Sequence, residues 1–271
     1  MRARSILIAL AALAASASPA LATTETATSG SISATLSYDH VQDSFEYTNM
    51  QLAISRAGTQ VLAGDPTFGD CDSPFCAPAG FGNRDSVIID DLDGDGEPEV
   101  IVDLYTGGAH CCYLSRFYRW NGTTYVSADR NFGDPGYRIA DLDGDGVKEL
   151  ITADYRFGYA FTAFAFSVMP IRIYDLRAGS WELVTKRFPD RIRKDAKAAW
   201  KTFTKISRNE EPRGAIAAWT ADQLMLGHRR YAKRTLDRLA RQGRLPSDGF
   251  APKSQRKFVR DLLRFLARRG Y

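Results

Sequence analysis

The 271-residue sequence is poor in the residues and motifs that most often carry enzyme chemistry. It has only 3 histidines, His40, His110 and His228, and 4 cysteines. It lacks a G-x-S-x-G nucleophile elbow, an H-E-x-x-H metal motif and a glycine-rich phosphate loop. These absences exclude the enzyme classes that such motifs mark. A glycosidase pair of carboxylates has no local motif and is not excluded in this way.

Long apolar runs are also scarce. The N-terminus carries Arg2 and Arg4, an apolar run over residues 6–15, and Ala-Leu-Ala at residues 20–22. A basic start, a short apolar run and a small-residue site are typical of a secretory signal peptide, so residues 1–22 are predicted to be cleaved after Ala22. No later segment has the ~18 uninterrupted apolar residues of a membrane-spanning helix. We therefore expect a secreted or periplasmic protein.

Two acidic loops share one pattern. The run D-L-D-G-D-G-E-P-E begins at Asp91, and D-L-D-G-D-G-V-K-E begins at Asp141, fifty positions later. Carboxylates at loop positions 1, 3, 5 and 9, with a backbone carbonyl at position 7, can surround one hard cation with the oxygen ligands that Ca2+ takes. Acids this close repel one another unless a cation compensates them. The sequence therefore predicts two Ca2+ sites.

The residues after each loop distinguish it from an EF-hand. An EF-hand has a bidentate Glu at position 12 and continues as a helix, whereas this chain has Val102 and Thr152. Residues 99–105 and 149–155 are short apolar and β-branched runs that predict buried strands. The loops are therefore predicted to connect strands.

A Phe-Gly pair precedes each loop, at residues 81–82 and 132–133. Each unit thus contains Phe-Gly, a strand, an Asp-rich loop and a strand, and this order resembles the FG-GAP/VCBS repeat of integrin α chains and of many secreted bacterial proteins. The resemblance covers two blade-like units, about residues 81–130 and 132–186. The metal ligands that the resemblance implies are Asp91, Asp93, Asp95, the carbonyl of Glu97 and Glu99 in the first loop, and Asp141, Asp143, Asp145, the carbonyl of Val147 and Glu149 in the second.

The first two thirds of the chain are predicted to be mainly β. Residues 31–38 and 50–64 have strand patterns, with a hairpin turn at residues 56–59, and Asn121-Gly122 and residues 177–179 predict further hairpins. Residues 23–30 are predicted to be a flexible leader. The β domain, residues 23–188, is expected to contain two FG-GAP-like blades as a partial propeller or an open stack, because two blades are too few for a closed propeller.

From Asp190 the apolar period becomes helical. About three amphipathic helices are predicted: one from Asp190, a longer one from Pro212 to Gly243, and a last one capped by Ser254. We expect this basic helical domain, residues 189–271, to cover the exposed end of the blades.

Charge is divided unequally between the two parts. Residues 23–185 contain 10 basic and 24 acidic residues, and residues 186–271 contain 24 basic and 8 acidic residues. The basic helices are predicted either to dock on the β domain or to bind an anionic envelope polymer or protein partner, in particular through a cluster of four residues. These four residues are Arg229, Arg230, Lys233 and Arg234. Nucleic acid is not an expected partner, since no nucleic-acid-binding motif is present.

The four cysteines, Cys71, Cys76, Cys111 and Cys112, are expected to form disulfides in an exported protein. Either Cys71 and Cys76 each pair with one of the adjacent cysteines, or Cys71 pairs with Cys76 and the adjacent cysteines form a vicinal bond. Zinc binding by cysteine and His110 is an alternative.

These features predict an exported, calcium-stabilised FG-GAP/VCBS-like protein with a binding or adhesion-type role. The metal-binding acids are unsuitable as catalytic residues because the ion already occupies them. The alternative function is that of a calcium-dependent extracellular hydrolase that acts on carbohydrate.

Overall fold

The structure, a computed structural model, describes residues 20–71, 74–80, 84–206, 211–247 and 254–271. Within these ranges, thirteen strands form three antiparallel sheets, and four α-helices follow them. The predicted class, mainly β with a C-terminal α region, is confirmed. The predicted signal peptide lies largely outside the described residues, and cleavage after Ala22 stays a prediction.

The first sheet contains strands in chain order: β1 (Ala20–Ser29), β2 (Ile32–Val41), β3 (Tyr47–Arg56) and β4 (Thr59–Gly64). Ala57 and Gly58 form the predicted turn between β3 and β4, with φ values of 47° and 79°. The prediction of a flexible leader at residues 23–30 is wrong. That threonine-rich segment pairs with β2 along its length, from Ala20 opposite Val41 to Ser29 opposite Ile32, because β-branched threonine suits a strand.

The second sheet carries the first acidic loop. It contains β5 (Ala77–Pro78), β6 (Val87–Asp90), β7 (Glu99–Gly108), β8 (Cys111–Trp120) and β9 (Tyr125–Gly133), and its order is β5-β7-β8-β9 with β6 also paired to β7. The loop connects β6 to β7, as predicted. The Asn121-Gly122 hairpin is present, but its loop has four residues, because the Asn121 side chain accepts hydrogen bonds from the N–H groups of Thr123 and Thr124.

The third sheet carries the second acidic loop. It contains β10 (Arg138–Ala140), β11 (Glu149–Ala153), β12 (Ile171–Arg177) and β13 (Ser180–Leu183), in chain order. The loop connects β10 to β11, so both loops join a pair of antiparallel strands. Of the two Phe-Gly pairs, residues 132–133 end β9, and residues 81–82 lie outside the described residues.

The three sheets stack face to face. Side chains on a strand alternate between its two faces, so one strand can contribute to two cores. On β7, Val100 and Val102 join a core with the first sheet, whereas Ile101 joins a core with the third sheet. On β11, Leu150 faces the second sheet, and Ile151 packs on the opposite face with Ile173 and with Phe188, the residue before the first helix. The result is an open stack of sheets, and no closure into a propeller is observed among the described residues.

The helices are α1 (Pro189–Lys205), α2 (Arg213–Met225), α3 (Arg229–Arg241) and α4 (Gln255–Arg268). The prediction of three amphipathic helices is wrong in two respects. The long helix predicted from Pro212 to Gly243 is broken at Gly227, whose φ of 80° does not continue a helix. In addition, α2 is buried on all sides rather than amphipathic. Ser254 caps α4, as predicted, by accepting a hydrogen bond from the Lys257 N–H group.

The helices cover the outer face of the third sheet. Phe157 and Phe161, in the connection between β11 and β12, are part of the helical core. The N–H group of Ile171, at the start of β12, donates to the Asp195 carboxylate of α1 at 2.9 Å. Gly214 of α2 lies against the carbonyl of Phe166, where a larger side chain would clash. The helices are therefore packed against the end of the stack.

The cysteines follow the second of the two predicted arrangements. Cys71 bonds to Cys76, and Cys111 bonds to Cys112. The zinc alternative is not supported, since the four sulfur atoms are in disulfides rather than available as thiolates. None of the helices in the described part of the chain has the length and apolar character needed to cross a membrane.

Candidate metal centres

The first acidic loop is folded around the carboxylate of Asp91. This carboxylate accepts hydrogen bonds from the N–H groups of Gly94 at 2.8 Å and Gly96 at 3.0 Å. The loop can turn this tightly because both glycines have positive φ values, 71° and 83°. Glu99, the first residue of β7, extends back into the loop and accepts a hydrogen bond from the Leu92 N–H group at 3.0 Å. The backbone thus orients both carboxylates toward the interior of the loop.

The second loop repeats these hydrogen bonds. Asp141 accepts from the N–H groups of Gly144 at 2.6 Å and Gly146 at 3.1 Å. Glu149, the first residue of β11, accepts from the N–H group of Leu142 at 2.8 Å. The two loops therefore have one local structure, as their common sequence predicts.

Three carboxylates converge in each loop. One oxygen from each of Asp91, Asp93 and Glu99, and likewise from Asp141, Asp143 and Glu149, lies within 4.8 Å of the other two. Both Glu99 and Glu149 are fully buried. The buried oxygens Asp93 Oδ1, Glu99 Oε1 and Glu149 Oε1 have no hydrogen-bond partner among the described residues. A buried acceptor without a partner is costly, and a cation would satisfy it.

The other predicted ligands are not part of these clusters. Asp95 Oδ1 accepts from the N–H group of Glu97, and Asp145 Oδ1 accepts from that of Val147. The Glu97 side chain leaves the loop and forms an ion pair with Arg56 of β3 at 2.6 Å. The structure therefore brings together the acids at positions 1, 3 and 9, whereas ligation by position 5 and by the carbonyls of Glu97 and Val147 stays a prediction.

Sequence reasoning missed two arginines that contact the loops. Arg119 of β8 lies 3.2 Å from Asp93 and 2.8 Å from Asp95. Arg187, just before α1, lies 3.0 Å from Asp143 and 2.6 Å from Asp175 of β12. Each loop thus has more carboxylates than the arginines beside it can neutralise, and this excess of negative charge suits a divalent cation.

The charge of the clusters also changes the pKa of the buried glutamates. Burial and, to a smaller extent, the charges of Asp93, Asp95 and Asp91 raise the pKa of Glu99 to about 8, against the opposing hydrogen bond from Leu92. Burial also raises the pKa of Glu149. A cation among these oxygens would take the place of the proton. The candidate metal ligands are all carboxylate oxygens, which suit Ca2+ and are not typical of a site for a soft metal.

Comparison with known proteins gives partial matches. No family model matches the chain. A probable thylakoid lumen protein of Synechocystis sp. is 32% identical over 148 residues, which are 51% of this chain and 43% of that protein. An uncharacterized protein of Sinorhizobium fredii is 31% identical over 140 residues, 48% of this chain and 21% of that protein. No solved structure matches. The chain therefore spans less than half the length of each of these two curated relatives.

Proposed function

We propose that this chain is an exported protein with a binding or adhesion-type role, stabilised by two Ca2+ ions held in FG-GAP/VCBS-like repeats. The observation that carries the proposal is the pair of matching carboxylate clusters, in which backbone N–H groups orient the acids and buried oxygens have no hydrogen-bond partner among the described residues. Export is supported by the predicted signal peptide and by the name of the Synechocystis relative, a probable thylakoid lumen protein.

The ions would have a structural role. Asp91, Asp93 and Glu99 would hold one ion and Asp141, Asp143 and Glu149 the other. Each ion would compensate the acids and tie the end of one strand to the start of the next. Because such sites form only in the folded chain, the free energy of metal binding adds to the free energy of unfolding.

The binding role is supported by an exposed basic surface on α3. Arg229, Arg230, Lys233 and Arg234 are all exposed, and Lys233 has one acidic partner on the same helix, Asp237 at 2.8 Å. These charges are therefore not used to dock α3 on the β domain. They suit an anionic envelope polymer, which a row of exposed cations attracts over several ångströms.

The alternative, a carbohydrate hydrolase, has less support. A cavity of about 600 Å3 between β6 and β10 is lined by two acids, Asp90 and Asp141. However, Asp141 belongs to the second loop, and Asp90 forms an ion pair with Lys148. This cavity therefore does not present two unoccupied carboxylates to a substrate.

Calorimetric titration of Ca2+ into chelator-treated protein tests the proposal. We expect two ions per chain, and we expect the double variant Asp93→Ala, Asp143→Ala to lose both, since each substitution removes one member of a cluster. Binding near zero in the native chain, or full binding by the double variant, would show that the loops do not hold the metal.

A separate experiment tests the basic surface. Retention on immobilised dextran sulfate should fall steeply as salt is raised, and reversing Arg230 and Arg234 to Glu should weaken it. Reversing Lys197 and Lys201, two exposed lysines of α1, is the matched control. Equal loss in both variants would assign retention to net charge rather than to α3.

A further inference from the structure

A second concentration of charge lies in a cavity away from the acidic loops. The cavity has a volume of about 440 Å3, within the range that holds small ligands. It is formed by the end of β9, the start of β12, the connection after β11 and the residues after α4. Four arginines and a single acid, Asp154, line it; the arginines are Arg130, Arg156, Arg172 and Arg269.

The single acid is already saturated. Asp154 accepts two hydrogen bonds from Arg156, at 2.6 and 2.7 Å, two from Arg172, at 2.9 and 3.3 Å, and one from the Tyr271 hydroxyl at 2.8 Å. Burial would raise its pKa, but Arg156, Arg172 and Tyr271 outweigh burial and lower the pKa to about 2. Asp154 therefore stays ionised and neutralises one of the four arginines.

The remaining arginines are held by aromatic rings rather than by acids. The guanidinium of Arg130 lies 3.5 Å from the centre of the Tyr174 ring, and that of Arg269 lies 3.6 Å from the centre of the Phe265 ring. Stacking of this kind fixes the plane of a guanidinium and leaves its N–H edge available for an oxyanion. The buried Nε atoms of both arginines have no hydrogen-bond partner among the described residues.

The excess charge is unfavourable without a ligand. Burial lowers the pKa of Arg130, and the charge of Arg172 lowers it further. Like charges in a partly enclosed space repel strongly, because the surroundings screen them less than water does. An anion with two or three oxygens would accept hydrogen bonds from the outer N–H groups of these guanidinium groups and compensate their charge at the same time.

We propose that this cavity binds a small organic anion through an oxyanion group, either a phosphate monoester or a carboxylate, with Arg130 and Arg269 as the principal donors. The proposal goes beyond the proposed calcium role, and it does not depend on metal in the loops. A molecule of the size of one sugar ring fits the volume, so the ligand class is a phosphorylated or acidic sugar-sized metabolite.

The test compares three probes that share one ring: glucose 6-phosphate, glucuronate and glucose. Calorimetric titration of the full chain in buffer with constant Ca2+ should show millimolar or tighter binding for at least one charged probe and none for glucose. Binding of the phosphate alone would assign a phosphate monoester, and binding of glucuronate alone would assign an acidic sugar. Absence of binding by both charged probes would overturn the proposal.

Matched variants locate the site. Arg269→Gln should weaken binding on the order of tenfold by removing one charged donor. Arg268→Gln changes the neighbouring exposed residue, which does not line the cavity, and should leave affinity unchanged. If Arg269→Gln lowers the melting temperature, Arg156→Gln provides a second variant at a half-exposed position. An equal loss of affinity in Arg268→Gln would overturn the assignment to this cavity.

Discussion

At the scale of single residues, the first acidic loop contains one glutamate whose side chain lies in the carboxylate cluster and one whose side chain lies outside it. Glu99 is fully buried and points into the first cluster, whereas Glu97 points away and pairs with Arg56. The predicted role of Glu97 uses its backbone carbonyl, which a change of side chain leaves in place. Because Glu97 and Glu99 lie in the same loop, the effect of the same substitution on Ca2+ binding can be compared at the two positions.

We predict that Glu99→Gln removes one of the two Ca2+ ions, because the amide lacks the charge that the cluster supplies to the ion. Glu97→Gln should retain both ions and lose only the ion pair with Arg56, which contributes about 1 kcal/mol or less. Calorimetric stoichiometry in the two variants is the measurement. Loss of an ion in Glu97→Gln, with both retained in Glu99→Gln, would reverse the assignment.

A second residue-scale prediction concerns the buried acids between α1 and α2. Burial and, to a smaller extent, the charge of neighbouring Asp195 raise the pKa of Asp222 to about 10. In the unfolded chain the pKa is about 3.9. The folded protein thus binds a proton that the unfolded chain releases between about pH 4 and pH 10, so this group's contribution to stability falls as pH rises through that window.

Asp222→Asn should remove this pH dependence. We expect the variant to exceed the native chain in free energy of unfolding by several kcal/mol at pH 8, and the difference to shrink by about 1.4 kcal/mol per pH unit toward pH 5. Asp237→Asn, at a less buried position on α3, makes the same chemical change and should show little effect. Urea denaturation at pH 5 and pH 8 measures the free energy of unfolding of each chain. An equal difference between Asp222→Asn and the native chain at both pH values would contradict the prediction.

At the scale of elements, the break between α2 and α3 depends on one glycine. Gly227 has a φ of 80° and open space around its Cα, so a methyl group there would meet no atom. Glycine is therefore needed at position 227 for its backbone conformation and not because space is lacking. Gly227→Ala should cost about 1 kcal/mol, since a left-handed conformation is unfavourable for alanine.

Gly64, the last residue of β4, provides the control for this substitution. It also has open space around it, but its φ is not positive. Gly64→Ala should change the free energy of unfolding by less than about 0.5 kcal/mol. Thermal denaturation measures the stability of both variants. An equal effect would show that the connection between α2 and α3 does not require glycine at position 227.

The elements also show why parts of this fold could be predicted from the sequence and others could not. The position of each acidic loop between two strands, the turn at Ala57 and Gly58 and the cap at Ser254 depend on neighbouring residues, and these predictions are confirmed. The arginines beside the loops depend on tertiary contacts. Arg119 follows Glu99 by twenty positions, whereas Arg187 follows Glu149 by thirty-eight, so no repeat pattern marks them.

The two wrong predictions have different physical origins. The apolar period from Pro212 to Gly243 continues across Gly227, and a single glycine inside such a pattern does not identify a break. Strand β1 has few large apolar residues and therefore lacks the alternating apolar pattern that predicts a strand. It forms because it pairs with β2. The arginine-lined cavity joins residues from five separate segments and has no local sequence pattern.

At the scale of the whole molecule, the two loops contact each other across the stack. The Lys148 N–H group donates to the Leu92 carbonyl at 2.8 Å, and Leu92 is fully buried between the second and third sheets. A Cβ atom on Gly94 would lie 3.1 Å from the carbonyl oxygen of Gly146. Each loop therefore supports the other, and a metal ion bound in one loop would order the backbone against which the other packs.

This contact predicts how the molecule responds to a chelator. Removal of Ca2+ should destabilise the second and third sheets together, because both lose their loops, whereas the helices keep a core of their own. The four tryptophans report on the two parts: Trp120 and Trp181 lie in the sheets, and Trp200 and Trp219 lie in the helices.

Fluorescence melting of two reporter variants measures this response. One variant carries phenylalanine at both helical tryptophans and reports on the sheets; the other carries phenylalanine at both sheet tryptophans and reports on the helices. Each variant is compared with itself with and without chelator, so the cost of the substitutions cancels. We expect the chelator to lower the melting temperature of the sheet reporter more than that of the helix reporter. An unchanged sheet reporter would show that the loops keep the stack together without metal.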